Sequence, residues 1–141
     1  MKVFFDTSVL LPCFIEDHEH HEASLTALLK ADKGQGFYGA HSLAEFYATA
    51  TRLPGKNRLS GEQVMLFLEN VQERLTAVTL TADEYNGVLS HAASIGLVGG
   101  TIYDALLGRC AMKAEAECIY TWNVKHFRQF SPEIVKRLRT P

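Results

Sequence analysis

The sequence is poor in cysteine, in long apolar runs and in excess charge of either sign. Its three cysteines, Cys13, Cys110 and Cys118, include no CxxC pair. This argues against a disulfide framework or a zinc knuckle and favours a reducing, cytoplasmic setting. No apolar run approaches about 18 residues, so we expect no membrane span. The apolar start of the chain is too short for a signal peptide, and Asp6 interrupts it.

The charge balance excludes few classes of ligand. The 141 residues include 14 Lys and Arg against 16 Asp and Glu, for a formal net charge of −2. A nucleic-acid binder with this balance needs a local basic patch. Hydrophobic residues make up 47% and charged residues 21% of the chain, which indicates a globular protein. We find no linker, repeat or low-complexity segment, and we expect one domain over residues 1–141.

Short apolar runs typical of strands alternate along the chain with segments of helical periodicity. The predicted strands are residues 2–5, 36–40, 75–80 and 117–121. Helices are predicted over 8–15, 20–31, 41–53, 102–115 and 123–130. Two further helices are predicted from their first residues, one capped by Ser60 and one that begins with a capping box of Thr81 and Glu84. This alternation predicts a three-layer α/β/α sandwich with a mainly parallel central sheet. Ligands of such sheets bind at the carboxyl ends of the strands.

Three acidic residues are poorly explained as solvated surface charge. Asp6 ends the apolar run "KVFF", Glu45 lies in the apolar segment "SLAEFYA", and Asp104 lies one turn into an apolar helix. Clustered carboxylates repel one another and persist mainly where a cation neutralises them. Oxygen ligands favour Mg²⁺ or Mn²⁺ over zinc. With an amide at Asn123, just past another strand, the three acids predict a metal site at the edge of the sheet.

Each acid also has a purely structural explanation. Asp6 could cap the helix that follows it, and Glu45 could pair with a buried arginine. Asp104 would favour the dipole of its helix without any function. The three acids taken together make the metal site the better interpretation.

Four segments, in this order and at these separations, match a known pattern. They are "FFDTSVL" around Asp6, "SLAEFYAT" around Glu45, "GGTIYDALL" around Asp104 and "TWNVKHF" around Asn123. On these segments the chain resembles the PIN domain family, and specifically the VapC-type ribonuclease toxins of bacterial toxin–antitoxin pairs. The resemblance covers essentially the whole chain and implies a compact PIN-like α/β/α fold.

The resemblance implies a Mg²⁺- or Mn²⁺-dependent endoribonuclease, the toxin of a type II toxin–antitoxin module, that hydrolyses RNA phosphodiester bonds. Asp6 and Asp104 would hold the metal. Four residues would be catalytic: Asp6, Glu45, Asp104 and Asn123. Three neighbouring hydroxyl residues would support them: Thr7, Ser8 and Thr121. Many relatives carry Asp where this chain has Asn123, so one formal charge is missing and either one or two ions remain possible.

The resemblance also implies partners. These are an RNA substrate, a small antitoxin whose tail places a basic side chain among the acids, and a second copy of the chain in a homodimer. Three basic residues near the proposed metal are the best candidates for phosphate binding, with a solvated surface as the alternative: Lys125, His126 and Arg128. Trp122 is interpreted either as packing or as a stacking platform for a base.

Two other functions compete with this interpretation. A haloacid dehalogenase-like phosphatase also begins with a strand that ends in a nucleophilic aspartate. That family needs a second aspartate two residues further on, where this chain has Ser8. The other alternative is a non-catalytic PIN-like domain that binds RNA or protein, and the presence of Asp6, Glu45 and Asp104 argues against it.

Overall fold

In the computed structural model, which describes residues 1–141, a five-stranded sheet lies between two layers of helices. The strands are β1 (Val3–Phe5), β2 (Gly36–Gly39), β3 (Thr76–Val78), β4 (Cys118–Tyr120) and β5 (Leu138–Arg139). The helices are α1 (Thr7–Leu10), α2 (His21–Lys30), α3 (His41–Ala50), α4 (Gly61–Arg74), α5 (Ala82–Ile95), α6 (Thr101–Lys113), α7 (Val124–Phe127) and α8 (Pro132–Val135). Two 3₁₀ turns cover Leu11–Phe14 and Gly55–Asn57. None of the helices combines the length and the apolar character needed to cross a bilayer.

Every strand pair in the sheet is parallel, and the strand order is β3-β2-β1-β4-β5. The first strand of the chain is therefore the central one, and its Phe4 pairs with Phe37 on one side and Ile119 on the other. Successive residues of a strand point to opposite faces. Phe5 accordingly belongs to the core beneath α1, α2, α3 and α4, and Phe4 to the core beneath α6, α7 and α8. The predicted α/β/α sandwich with a mainly parallel sheet is confirmed.

Local signals in the sequence set the starts of the two longest helices. The Thr81 hydroxyl accepts a hydrogen bond from the backbone of Glu84 at 3.1 Å, and the Glu84 carboxylate accepts one from the backbone of Thr81 at 2.8 Å. This is the predicted capping box, and it opens α5. Ser60 caps α4 in the same reciprocal way with Gln63.

The structure differs from the predicted elements in several places. The helix predicted over 123–130 covers only Val124–Phe127. The helix predicted over 8–15 is α-helical only to Leu10 and then tightens into a 3₁₀ turn that contains Pro12. The helix predicted over 41–53 ends at Ala50. Two elements were not predicted, α8 and the edge strand β5. β5 has only two residues, and its place in the sheet depends on pairing with β4 rather than on a pattern of its own.

The fold brings the ends of three neighbouring strands to one edge of the sheet. Asp6 follows β1 directly, Thr121 follows β4 directly, and α3 begins two residues after β2. α6 packs closely on the end of β2. The gap is small enough that a Cβ atom added at Gly39 would lie 2.6 Å from Leu107 Cδ2. This close approach brings the first turn of α6, with Asp104, to the same edge.

Candidate active site

Asp6 is buried, with 3% of its surface exposed, and two hydroxyls hold its carboxylate. Ser8 Oγ and Thr121 Oγ1 both donate to Asp6 Oδ2, at 2.7 and 2.8 Å. Ser8 Oγ in turn accepts the backbone N–H of Trp122, and Thr121 Oγ1 accepts that of Asn123, each at 2.9 Å. The backbone therefore orients both hydroxyls toward Oδ2, and Oδ1 has no side-chain hydrogen bond.

The helix-cap explanation does not account for Asp6. The residue occupies the N-cap position of α1, but its side chain makes no capping hydrogen bond. Burial raises the pKa of the Asp6 carboxyl, and the hydrogen bonds from Ser8 and Thr121 oppose that rise. The Asp6 carboxylate is therefore held by the hydroxyls of Ser8 and Thr121 and not by a capping hydrogen bond to α1.

Glu45 lies on α3 beside Asp6, with 29% of its side chain exposed. Its Oε1 accepts a hydrogen bond from Thr7 Oγ1 at 3.3 Å, and His41 Nε2 lies 3.9 Å from the same oxygen. Burial raises the pKa of Glu45 to about 7, and the negative charges of Asp6 and then Asp104 add to the rise. No arginine pairs with Glu45, so the arginine-pair explanation is wrong.

Asp104 lies in the first turn of α6, with 18% of its side chain exposed. Burial raises the pKa of its carboxyl to about 6, the negative charge of Asp6 adds to the rise, and His126 opposes it. His126 Nδ1 lies 3.7 Å from Asp104 Oδ2. Asp6, Glu45 and Asp104 come from three distant segments. The charge of Asp6 disfavours the ionised forms of both Glu45 and Asp104, and the charge of Asp104 disfavours that of Glu45.

The other predicted site residues line the same edge. Asn123 is exposed, and its side chain makes no hydrogen bond, while its backbone is held by Thr121. Lys125 and His126 lie on α7, and Arg128 follows that helix directly. All three basic side chains are exposed, and neither Lys125 nor Arg128 pairs with an acidic residue.

Two contributors to this edge were missed in the sequence. Ser42 is buried, and its hydroxyl lies 2.7 Å from that of Thr7, which places Thr7 against Glu45. Its position three residues before Glu45, on the same face of α3, was the available signal. The His41 ring stacks on Tyr103 at 4.9 Å between centroids. That contact joins α3 to α6, and no local pattern indicates it.

The donor set fits a hard divalent cation. No three His, Cys, Asp or Glu side chains converge on a single ion position. Mg²⁺ commonly binds one or two carboxylates and completes its shell with water and substrate phosphate, so two carboxylates are sufficient. A cation at the edge of the sheet would also relieve the repulsion that raises the pKa of Glu45 and Asp104. Asp6 and Asp104 as its ligands stay a prediction.

Comparison with known proteins reveals related sequences. The family model for the PIN domain matches residues 3–130. The chain is 36% identical over 114 residues to Ribonuclease VapC40 of Mycobacterium tuberculosis, across 81% of each protein. It is 33% identical over 113 residues to Ribonuclease VapC27 of the same organism, across 79% of this chain and 78% of that protein.

Solved structures share the fold at lower identity. VapBC2 from Rickettsia felis, solved bound to a DNA fragment from its promoter, matches with a TM-score of 0.66 and 20% identity over 99% of this chain and 98% of that one. VapC20 of Mycobacterium tuberculosis, a sarcin-ricin loop cleaving toxin, matches with a TM-score of 0.72 and 13% identity over 91% and 95%. The PIN model spans most of this chain, and the related sequences align across about four fifths of it. The chain therefore belongs to the PIN domain family.

Proposed function

We propose that the chain is a metal-dependent endoribonuclease, the toxin of a type II toxin–antitoxin module, with residues 1–141 forming one nuclease domain. The observation that carries this proposal is the meeting of Asp6, Glu45 and Asp104 at one edge of the sheet. No lysine or arginine neutralises them. The relatives named ribonucleases, at 36% and 33% identity, support RNA as the substrate.

Each residue of the site has a defined task in this mechanism. Asp6 and Asp104 would hold a Mg²⁺ or Mn²⁺ ion, which supplies polarisation of the scissile phosphate and a bound water of lowered pKa. Ser8 and Thr121 both donate to Oδ2 of Asp6, which leaves Oδ1 without a side-chain partner and able to bind the ion. The Thr7 hydroxyl donates a hydrogen bond to Glu45 Oε1, which leaves Oε2 to orient the attacking water.

The substrate approaches along the start of α7. Lys125, His126 and Arg128 are exposed there, and His126 lies within 3.7 Å of Asp104. Phosphate groups of RNA bind such side chains largely through charge. Asn123 would contribute an amide oxygen to the ion, and its side chain makes no hydrogen bond within the protein that would compete for that oxygen.

The direct test is cleavage of single-stranded RNA by the purified chain. We expect cleavage in Mg²⁺ or Mn²⁺, none in EDTA, and recovery when the metal is restored. RNA binding without cleavage in any divalent metal would favour the non-catalytic alternative. Release of phosphate from a small phosphomonoester, without RNA cleavage, would favour the phosphatase alternative.

Asn123→Asp should tighten Mn²⁺ binding by roughly tenfold, because it adds a unit negative charge next to a divalent ion. Titration calorimetry of the metal-free protein measures this change. Asn86→Asp, on an exposed face of α5, is the matched control and should leave the affinity unchanged. Equal affinity in the Asn123→Asp variant and the wild type would place residue 123 outside the ligand sphere.

We further propose a small protein antitoxin that blocks the site with a basic side chain. The support is charge complementarity, since a guanidinium or ammonium group among Asp6, Glu45 and Asp104 would replace the cation electrostatically. We also propose a homodimer, supported by the exposed apolar side chains of Leu89 and Ile95 on α5 and of Val98 in the loop that follows it. Reduced, buried cysteines and an RNA substrate support a cytoplasmic location.

A further inference from the structure

Trp122, the only tryptophan of the chain, is anchored next to the candidate active site. Its backbone N–H donates to Ser8 Oγ, which donates to Asp6, so two hydrogen bonds separate Trp122 from the carboxylate. Its indole Nε1 donates to Ser24 Oγ at 2.9 Å, and Ser24 is fully buried on α2. The position and the tilt of the indole are therefore both fixed.

The imidazole of His20 covers Trp122 in the geometry of two stacked nucleobases. The ring centroids are 3.7 Å apart, and the planes differ by 6°. Trp122 packs against the core beneath α1 to α4. The His20 side chain, with about a third of its surface exposed, is the outer member of the stack.

The two stacked rings are held very differently. The His20 ring makes no hydrogen bond, and its only charged neighbour is the exposed Glu19, at 3.5 Å. The chain is tied down at the next residue, where His21 Nδ1 lies 2.8 Å from the carbonyl oxygen of Pro12. A change of the His20 side-chain rotamer would uncover Trp122 without a change in the backbone. It would break the stack on Trp122, the tilted contact with the His18 ring at 5.6 Å between centroids, and the contact with Glu19.

We propose that the outer face of Trp122 is a nucleobase subsite for the RNA substrate, and that His20 occupies this subsite until a base displaces its ring. The inference rests on the proposed function, because it describes how the same site holds its RNA. Bases of single-stranded RNA stack on aromatic side chains with little regard to sequence. The backbone of Trp122 is joined to Asp6 through Ser8, so the base stacked on its indole would belong to a nucleotide close in sequence to the one that is cleaved.

His20→Ala should bind single-stranded RNA roughly fivefold more tightly than the wild type, because the base no longer has to displace an aromatic ring. A nuclease-resistant 2′-O-methyl oligoribonucleotide is titrated in Mg²⁺, and the midpoint is followed by the emission of Trp122. The signal has one source, since the chain has one tryptophan. His91→Ala, on an exposed face of α5, is the matched control and should titrate like the wild type.

The opposite role for His20, a prop that keeps Trp122 in place, predicts the opposite result. His20→Ala would then melt lower than the wild type and bind RNA more weakly, and this outcome overturns the subsite. Unchanged binding overturns it as well. An oligonucleotide of the same length with abasic residues should bind the wild type and His20→Ala equally. If His20→Ala still bound this oligonucleotide more tightly, its higher affinity would come from charge rather than from base stacking, and the subsite would be refuted.

Failure of this inference can be separated from failure of the proposed function. A wild-type protein that cleaves RNA, beside a His20→Ala variant that binds it no more tightly, refutes the subsite alone. A wild-type protein that cleaves no RNA, although His20→Ala tightens binding as expected, refutes the nuclease activity and leaves the subsite in place.

Discussion

Asp6→Asn should lower the rate of RNA cleavage by roughly a thousandfold while the protein stays folded, because a metal ligand of this kind supplies several kcal/mol to the transition state. The hydroxyls of Ser8 and Thr121 are turned toward Oδ2 by the backbone N–H groups they accept. The amide oxygen of the substituted side chain can take the Oδ2 position and keep both hydrogen bonds. The amide nitrogen then lies where Oδ1 was, and it has no lone pair to offer an ion.

Initial rates on a fluorogenic oligoribonucleotide in excess Mg²⁺ measure this loss, and circular dichroism with thermal melting establishes that the variant is folded. Asp17→Asn is the matched control, since Asp17 is an exposed acid whose partner is Lys56 at 3.4 Å. It should keep the wild-type rate. A highly purified Asp6→Asn protein that cleaves as fast as the wild type would refute the mechanism.

Without divalent ions, Glu45→Gln and Asp104→Asn should each melt about 3 °C above the wild type at pH 8. At an effective dielectric constant of about 20, two like charges about 5 Å apart repel by roughly 3 kcal/mol before screening. Proton uptake by one carboxylate relieves part of that repulsion, so a net gain of about 1 kcal/mol is expected. Thr7 can still donate to the amide oxygen of Glu45→Gln, because Oε1 remains an acceptor.

The gain should depend on pH in a defined direction. The pKa of Glu45 is raised from 4.5 to about 7 and that of Asp104 from 3.8 to about 6. Between those limits the folded wild type binds more protons than the unfolded chain, so its free energy of unfolding falls as the pH rises from about 4 to about 7. Each variant should therefore match the wild type near pH 4 and exceed it increasingly toward pH 7.

Excess Mg²⁺ should reverse the order of melting temperatures for Asp104→Asn, because the ion stabilises the folded wild type by mass action and this variant lacks one of the two proposed ligands. Melts in EDTA and in Mg²⁺ measure both effects, with Glu69→Gln on the exposed face of α4 as the control that changes neither. If both variants melt below the wild type in EDTA and Mg²⁺ changes nothing, the carboxylates are structural and the metal site is wrong.

The sequence revealed the parts of this molecule that depend on neighbours along the chain. The capping box of Thr81 and Glu84 is complete within four residues, and the apolar run that ends at Asp6 marks both a buried strand and its carboxyl end. The three acids were conspicuous because their segments are otherwise apolar. The alternation of strands and helices predicts the parallel sheet that brings Asp6 and the start of α3 to one edge, but the strand order was not predicted.

Features that depend on distant contacts were not predictable from the same patterns. β5 exists because Ile119 and Thr121 donate backbone hydrogen bonds to Arg137 and Arg139. The stack of His20 on Trp122 joins a turn before α2 to the end of β4. The role of Ser42 depends on its contact with Thr7, which lies 35 residues earlier in the chain.

The position of β1 in the sheet has a consequence for the synthesis of the protein. β1 is made first, yet one of its two neighbours, β4, and the hydroxyl of Thr121 are 115 residues further along. A growing chain thus carries Asp6 and Glu45 long before it has the strand that covers the second edge of β1, whereas Asp104 precedes that strand closely in the sequence. At a translation rate of about 5–20 residues per second, the ribosome needs several seconds to make that interval. During that time β1 lacks one of its two neighbours and Asp6 lacks the hydroxyl of Thr121, so the site is incomplete until β4 has been made.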